Sequence, residues 1–135
     1  MKPASHLEFA FRLDPHSGVP VYRQLIDQVQ AAVATGSLRI GDQLPTVRRV
    51  AVDLAINPNT VSRAYREMEL RGILDTQQGT GTFVADNQTK QTPSERKRQI
   101  AQLVTEFVAR AGSAGFTVND LKQALHQLSP ESRNS

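Results

Sequence analysis

The chain has 135 residues, with 16 Lys and Arg against 13 Asp and Glu, a formal net charge of +3, and neither Cys nor Trp. That length suits one domain or a small domain with an appendage, and a chain this small buries proportionally little surface, so it often borrows a partner's. No disulfide framework or thiolate metal site is possible without cysteine, no apolar run approaches the roughly 18 residues that span a bilayer, and the charged opening MKPASHLEFAFRL is unlike a signal peptide: a soluble, cytoplasmic protein is expected.

Residues 7–13 (LEFAFRL) alternate weakly between apolar and polar, which predicts a short strand or arm, and residues 14–20 (DPHSGVP) form a turn-rich connector. Val21, Leu25, Val29 and Val33 recur every four positions, with Tyr22 and Ile26 widening the stripe. This spacing predicts a helix from about Val21 to Thr35, ended by Gly36 as a left-handed cap. After the tight loop 41–45 (GDQLP), Thr46 can cap a second helix whose buried face is Val47, Val50, Ala51 and Leu54. Asn57-Pro58, a capping residue before a proline at the first helical position, opens a third helix that runs to about Arg71 and stops at Gly72. Residues 73–76 and 82–84 read as two short strands around the tip Gln77-Gln78-Gly79-Thr80-Gly81.

Residues 86–94 (DNQTKQTPS) are polar and read as a linker. Ile100, Leu103, Val104, Phe107, Val108 and Ala111 then hold to one helical face, in a helix expected over 96–111 behind the solvated start Glu95-Arg96-Lys97-Arg98. Residues 112–115 break it. Thr117 as N-cap, Asp120 as capping-box acid and the staple Phe116 with Leu121 open a last helix, whose stripe continues at Leu125 and Leu128. The predicted organisation is mainly α. A winged helix-turn-helix domain with an N-terminal strand or arm covers 1–86, a linker 87–94, a helical dimerisation region 95–129 and a frayed tail 130–135.

Twelve of the 16 basic residues are arginines, the side chain best suited to bidentate contacts with phosphate and guanine. Between Thr46 and Arg66 stand Arg48, Arg49, Arg63 and Arg66 against the single acid Asp53. At about 100° per residue, the third helix gathers Val61, Ala64, Tyr65 and Met68 on one side. It leaves Asn59, Ser62, Arg63 and Arg66 on the other, with Thr60 between the two faces. Asn can read adenine, Arg can read guanine or grip phosphate, and Ser or Thr can do either. The helix N-terminus adds free N–H groups and a positive dipole end where a phosphate can sit. A merely solvated face would explain any one of these residues; DNA binding accounts for them together. Arg48 and Arg49 occupy the first turn of the second helix, where a cation opposes the dipole. Phosphate contact would explain that placement, although Arg49 can instead pair with Asp53 at i+4.

Three stretches carry a family resemblance: 41–51 (GDQLPTVRRVA), 59–69 (NTVSRAYREME) and 79–84 (GTGTFV). They resemble the DNA-binding domain of GntR-family bacterial transcription regulators. The turn 57–61 (NPNTV), the opening Leu13-Asp14-Pro15 and the stretch Val19-Pro20-Val21-Tyr22 are similar to the small YtrA-type subfamily. The resemblance implies that Arg48 contacts phosphate or base, that Asn57, Asn59 and Thr60 face the major groove, and that the wing tip Gln78, Gly79, Thr80 and Gly81 enters the minor groove. It also implies a homodimer, and repression as the commoner mode. The chain departs from the broader pattern at three points. Thr46-Val47-Arg48-Arg49 stands where many members have Ser-x-x-Glu, Pro58 replaces a frequent Arg, and Ser62 replaces another. The operator sequence therefore does not transfer.

No catalytic pattern emerges. His6, His16 and His126 are dispersed beside no acid or nucleophile pattern, no spacing suggests a metal cluster, and Gly79-Thr80-Gly81 lacks the following helix and Gly-Lys-Ser/Thr ending of a nucleotide loop. No cofactor is implied, no effector is named, and no membrane partner is expected. A winged-helix protein–protein adaptor is the alternative reading, but an adaptor would not need Arg48, Arg63 and Arg66 on one surface. The expected partners are double-stranded operator DNA and a second copy of the chain. Ile100, Leu103, Val104, Phe107 and Val108, with Leu121, Leu125 and Leu128, make stripes that one short helix cannot cover; they must meet the winged domain or another copy.

Overall fold

A computed structural model describes residues 9–86 and 91–128. The chain divides into two compact units, 1–87 and 88–135. In the first, α1 (Val21–Thr35), α2 (Val47–Leu54) and α3 (Pro58–Leu70) pack around one core and are followed by the antiparallel hairpin of β1 (Leu74–Gln77) and β2 (Gly81–Val84). The four-residue repeat of α1 puts Leu25, Ile26 and Val29 against Val61, Ala64 and Met68 of α3, all buried. Fully burying side chains of this kind contributes roughly 1.5–3 kcal/mol each, which outweighs the modest helix propensity of the valines. Gly36 closes α1 at φ 85°, as a left-handed cap requires. The turn between α2 and α3 places Ala55 at φ 56°, the one non-glycine residue with positive φ among the described residues.

The N-terminal segment departs from the expected strand. Residues 9–13 form no strand; residues 7 and 8 lie outside the described residues. Two glutamines one turn apart on α1 take the place of a neighbouring strand. Arg12 N–H donates to Gln28 Oε1 at 2.9 Å, and Gln28 Nε2 returns a bond to the Arg12 carbonyl. Asp14 N–H donates to Gln24 Oε1 at 2.8 Å, while Gln24 Nε2 reaches the carbonyls of Asp14 and Val19 and the Ser17 hydroxyl. Side-chain amides thus satisfy backbone groups that would otherwise need a ladder. The arm is thereby fixed with Phe11 buried in the core, edge-on to Phe9 at 4.9 Å.

The wing is shifted by one residue from the expected strands: Gln77 pairs with Gly81 inside the ladder, and Ile73 stays outside it. The loop before α2 lies along the free edge of β2, with Gly41 N–H donating to the Val84 carbonyl, Val84 N–H to Asp42 and Leu44 N–H to Thr82. An isolated bridge joins Gln43 to Phe83. Strand β2 is therefore paired on both edges.

The second unit is an α-hairpin, α4 (Pro93–Ser113) and α5 (Val118–Leu128). Here α4 starts earlier than the periodicity of 96–111 indicated, and the linker is correspondingly shorter. Thr92 and Glu95 form a reciprocal capping box with Pro93 at the first turn. The helix also continues through Gly112 to Ser113. Thr117 and Asp120 close the expected box on α5, Thr117 N–H donating to Asp120 Oδ2 at 2.8 Å and Asp120 N–H to Thr117 Oγ1 at 3.1 Å. The expected tail 130–135 lies outside the described residues. Among the described residues no helix is long and apolar enough to cross a membrane.

Candidate nucleic-acid interface

Three parts of the first unit supply the candidate site: the N-terminus of α2, the exposed face of α3 and the tip of the hairpin. At the first, Thr46 Oγ1 accepts from Arg49 N–H at 3.1 Å. At the second, Asn57 Oδ1 accepts from Asn59 N–H at 2.8 Å. Each cap satisfies one orphan donor; on α3 Pro58 has no N–H and Thr60 N–H donates to the Asn57 carbonyl at 3.0 Å, so the open N–H groups are those of the first turn of α2, and neither helix has an acid in its first turn. The loop feeding α2 is tied to α3 from below. The Tyr65 hydroxyl, buried, donates to the Pro45 carbonyl at 2.6 Å, and burial raises the phenol's pKa well above its ordinary value.

The predicted cations divide into three environments. Arg48 and Arg66 are exposed and have neither an ion pair nor a hydrogen bond among the described residues. Arg49 takes the alternative noted from its spacing, with Nε 3.4 Å from Asp53 Oδ2. Arg63 lies over the ring of Tyr22 on α1, its Cζ 3.8 Å from the centroid. On the same face Asn59 is exposed, and Thr60 and Ser62 are half-buried. Gln78, Gly79 and Thr80 are exposed at the wing tip, and Gly81 sits at the base of the turn.

Sequence reasoning missed Gln43. Its Nε2 donates to the Thr80 carbonyl at 3.3 Å, and a Cβ on Gly81 would overlap that amide nitrogen. Gly81 also adopts φ 142°, so absence of a side chain is required twice over. Only the glycine in the predicted tip hinted at a close approach. The stacking of Arg63 on Tyr22 was equally hidden, since it joins residues 41 positions apart on different helices.

Compared with known proteins, residues 21–84 match the model of the family described as bacterial regulatory proteins, gntR family. The chain is 32% identical over 120 residues to the HTH-type transcriptional repressor YtrA of Bacillus subtilis (strain 168), a match covering 89% of this chain and 92% of that protein. This chain belongs to the gntR family. Solved structures similar to this GntR-family regulator include one described as a transcriptional antiterminator from Listeria monocytogenes EGD-e, with TM-score 0.64, 28% identity and 93% of both chains covered. Another is YtrA from Sulfolobus acidocaldarius, described as a GntR-family transcription factor, with TM-score 0.54, 26% identity, and coverage of 75% of this chain and 99% of that one. The winged helix with C-terminal helices is thus the family's architecture.

Proposed function

We propose that this GntR-family regulator binds a two-fold symmetric DNA operator as a homodimer and represses transcription from it. The observation that carries the reading is the convergence at α3. Among the described residues Asn59 offers an uncommitted amide, Ser62 a hydroxyl and Arg66 an unpaired guanidinium, beside a helix N-terminus free of acids and the unpaired Arg48. In this reading Asn57, Asn59, Thr60 and Ser62 face the major groove, while Thr46, Arg48 and Arg49 lie along the phosphates. Gln78, Gly79, Thr80 and Gly81 reach the minor groove. Repression is supported by the Bacillus subtilis relative, which is a transcriptional repressor.

Support for the dimer comes from the second unit, which has almost no core of its own. Ala111 alone is buried on α4, and nothing is buried on α5. Leu103 is 65% exposed, Val104 52%, Leu125 53% and Leu128 54%, with Ile100 and Phe107 also exposed and Val108 and Leu121 half-buried. A contiguous apolar stripe of this kind marks an association surface, and an isologous pairing covers it on both copies at once. Pairing two heads on one duplex then raises affinity through effective concentration.

Selection of bound sites from random duplex DNA, followed by titration and sedimentation, tests the reading. The expected result is a paired half-site motif and a micromolar-stable dimer. Arg48→Ala should weaken all duplexes alike and lower the salt slope by about one, whereas Asn59→Ala should cost roughly 1–3 kcal/mol on the operator alone. Duplex binding without salt dependence, or a monomer at micromolar concentration, would overturn it.

A further inference from the structure

We propose that Tyr22 is a positioning residue for DNA binding, its ring holding the Arg63 guanidinium as a pre-set fork for a backbone phosphate beside the major groove. The inference rests on the DNA-binding reading above and adds to it a residue from α1, outside the helix-turn-helix and the wing. Arg63 Cζ stands 3.8 Å from the Tyr22 ring centroid, a distance at which the guanidinium face contacts the π cloud. Both residues sit on helices whose backbones are fixed directly beneath them, by Leu25 and Ile26 on α1 and by Val61 and Ala64 on α3.

The competing arrangement for Arg63 would be an ion pair with Glu67, four residues on along the same helix. That carboxylate is engaged elsewhere: Arg71 Nε lies 3.0 Å from Glu67 Oε2. Arg63 therefore keeps its charge uncompensated by its helix neighbour. Stacking uses only the face of the guanidinium, the weakly hydrated side, and leaves the N–H donors in the plane of the fork free for a bidentate phosphate contact. Arg63 also lies one turn after Asn59, so the fork is set on the same side of α3 as the uncommitted amide. A long side chain that is already immobilised loses less rotamer freedom on binding than a mobile one.

A double-mutant cycle in the full-length chain tests this, read as affinity for operator and random duplex with the salt slope. Tyr22→Leu should weaken both duplexes about two- to fivefold, Tyr22→Phe should bind like wild type, and the Tyr22→Leu loss should vanish in an Arg63→Ala background. Arg63→Ala should also lower the salt slope by about one. An equal Tyr22→Leu loss in both backgrounds would make the tyrosine a packing residue and overturn the proposal, as would a Tyr22→Phe variant as weak as Tyr22→Leu. Should Tyr22→Leu fail to fold, Arg63→Lys decides at an exposed position. It keeps the charge and loses the planar fork, so it should retain the slope and lose affinity; wild-type affinity would overturn the claim. Failure of wild-type protein to bind any duplex, with Arg48→Ala indistinguishable from it, would instead remove the underlying DNA-binding reading.

Discussion

Tyr65→Phe isolates one buried hydrogen bond that ties the helix-turn-helix to the loop before it. The tyrosine is 4% exposed, and its hydroxyl donates to the Pro45 carbonyl at 2.6 Å. Phenylalanine keeps the ring against Phe11, 6.5 Å away between centroids, and removes only the hydroxyl. Because Pro45 is half-buried, water can partly replace the lost donor, so the cost should be about 1 kcal/mol, or a fall in Tm of about 4–8 °C for a unit of this size. Burial also raises the folded phenol's pKa above its ordinary value of 10.0. The unfolded phenol therefore ionises first, and above pH 10 the unfolded chain binds fewer protons than the folded one, so stability falls as pH rises. At pH 11 that loss approaches 1.4 kcal/mol, while below pH 10 the contribution is intact. Chemical unfolding followed by circular dichroism at pH 8 and pH 11 reads both effects. Wild type should lead by about 1 kcal/mol at pH 8 and lose that lead at pH 11. An unchanged difference between the two proteins across this range would refute the reasoning.

Gly81→Ala should destabilise the winged unit and weaken DNA binding, because the new Cβ meets the Gln43 amide and the backbone stands at φ 142°; adding Gln43→Ala should relieve the overlap but not the backbone strain, measured as a partial recovery of Tm. Glu95 and Asp120 have carboxyl pKa values held below normal, chiefly by backbone N–H bonds from Thr92 and Thr117 and then by those hydroxyls. Their capping contribution should be fully present above about pH 4.5 and drain away as pH falls through the lowered values, so Glu95→Gln with Asp120→Asn should flatten the acid-side loss of helical circular dichroism. Gln24→Ala should free the N-terminal arm, seen as faster amide exchange at Asp14 and a stability loss of about 1 kcal/mol; unchanged exchange would deny the glutamine its tethering part.

What was legible in the sequence was whatever depends on near neighbours along the chain. The helix over 21–35 with its Gly36 cap, the Thr46 and Asn57 caps and the Thr117/Asp120 box each involve groups within a turn or so of one another, and each stands where expected; the period of four fails at its last member, since Val33 is exposed and Ala32 takes the buried place. The start of α4 was legible in principle, since Thr92-Pro93-Ser94-Glu95 is a capping box, but its polar composition masked it as linker. The arm was not legible, because alternation at 7–13 says only that the backbone is extended and cannot say that glutamines from α1 will satisfy it. Of the candidate site, the polar face of α3 follows from helical angle alone. Which arginines stay free does not: among the described residues Arg48 and Arg66 remain unpaired while Arg49 and Arg63 are engaged by Asp53 and Tyr22. That outcome depends on which carboxylates and rings the fold brings close.

The two caps also limit how the interface can read sequence. An asparagine that recognises adenine must accept from the base's N6 amino group with its carbonyl and donate to N7 with its amide. Asn57 has its carbonyl committed to Asn59 N–H at 2.8 Å, so a bidentate contact would compete with the bond that starts α3, a cap worth about 1 kcal/mol. Its amide hydrogens remain available, which suits a phosphate or a single acceptor on a base edge. Thr46 is divided in the same way, its oxygen capping α2 while its hydrogen is free to be donated to a phosphate. Asn59 carries no such duty: its side chain is exposed and uncommitted one residue into the helix. In the proposed DNA-binding reading, discrimination of base identity at the start of α3 would therefore fall to Asn59, with the capping residues fixing the register in which it is presented.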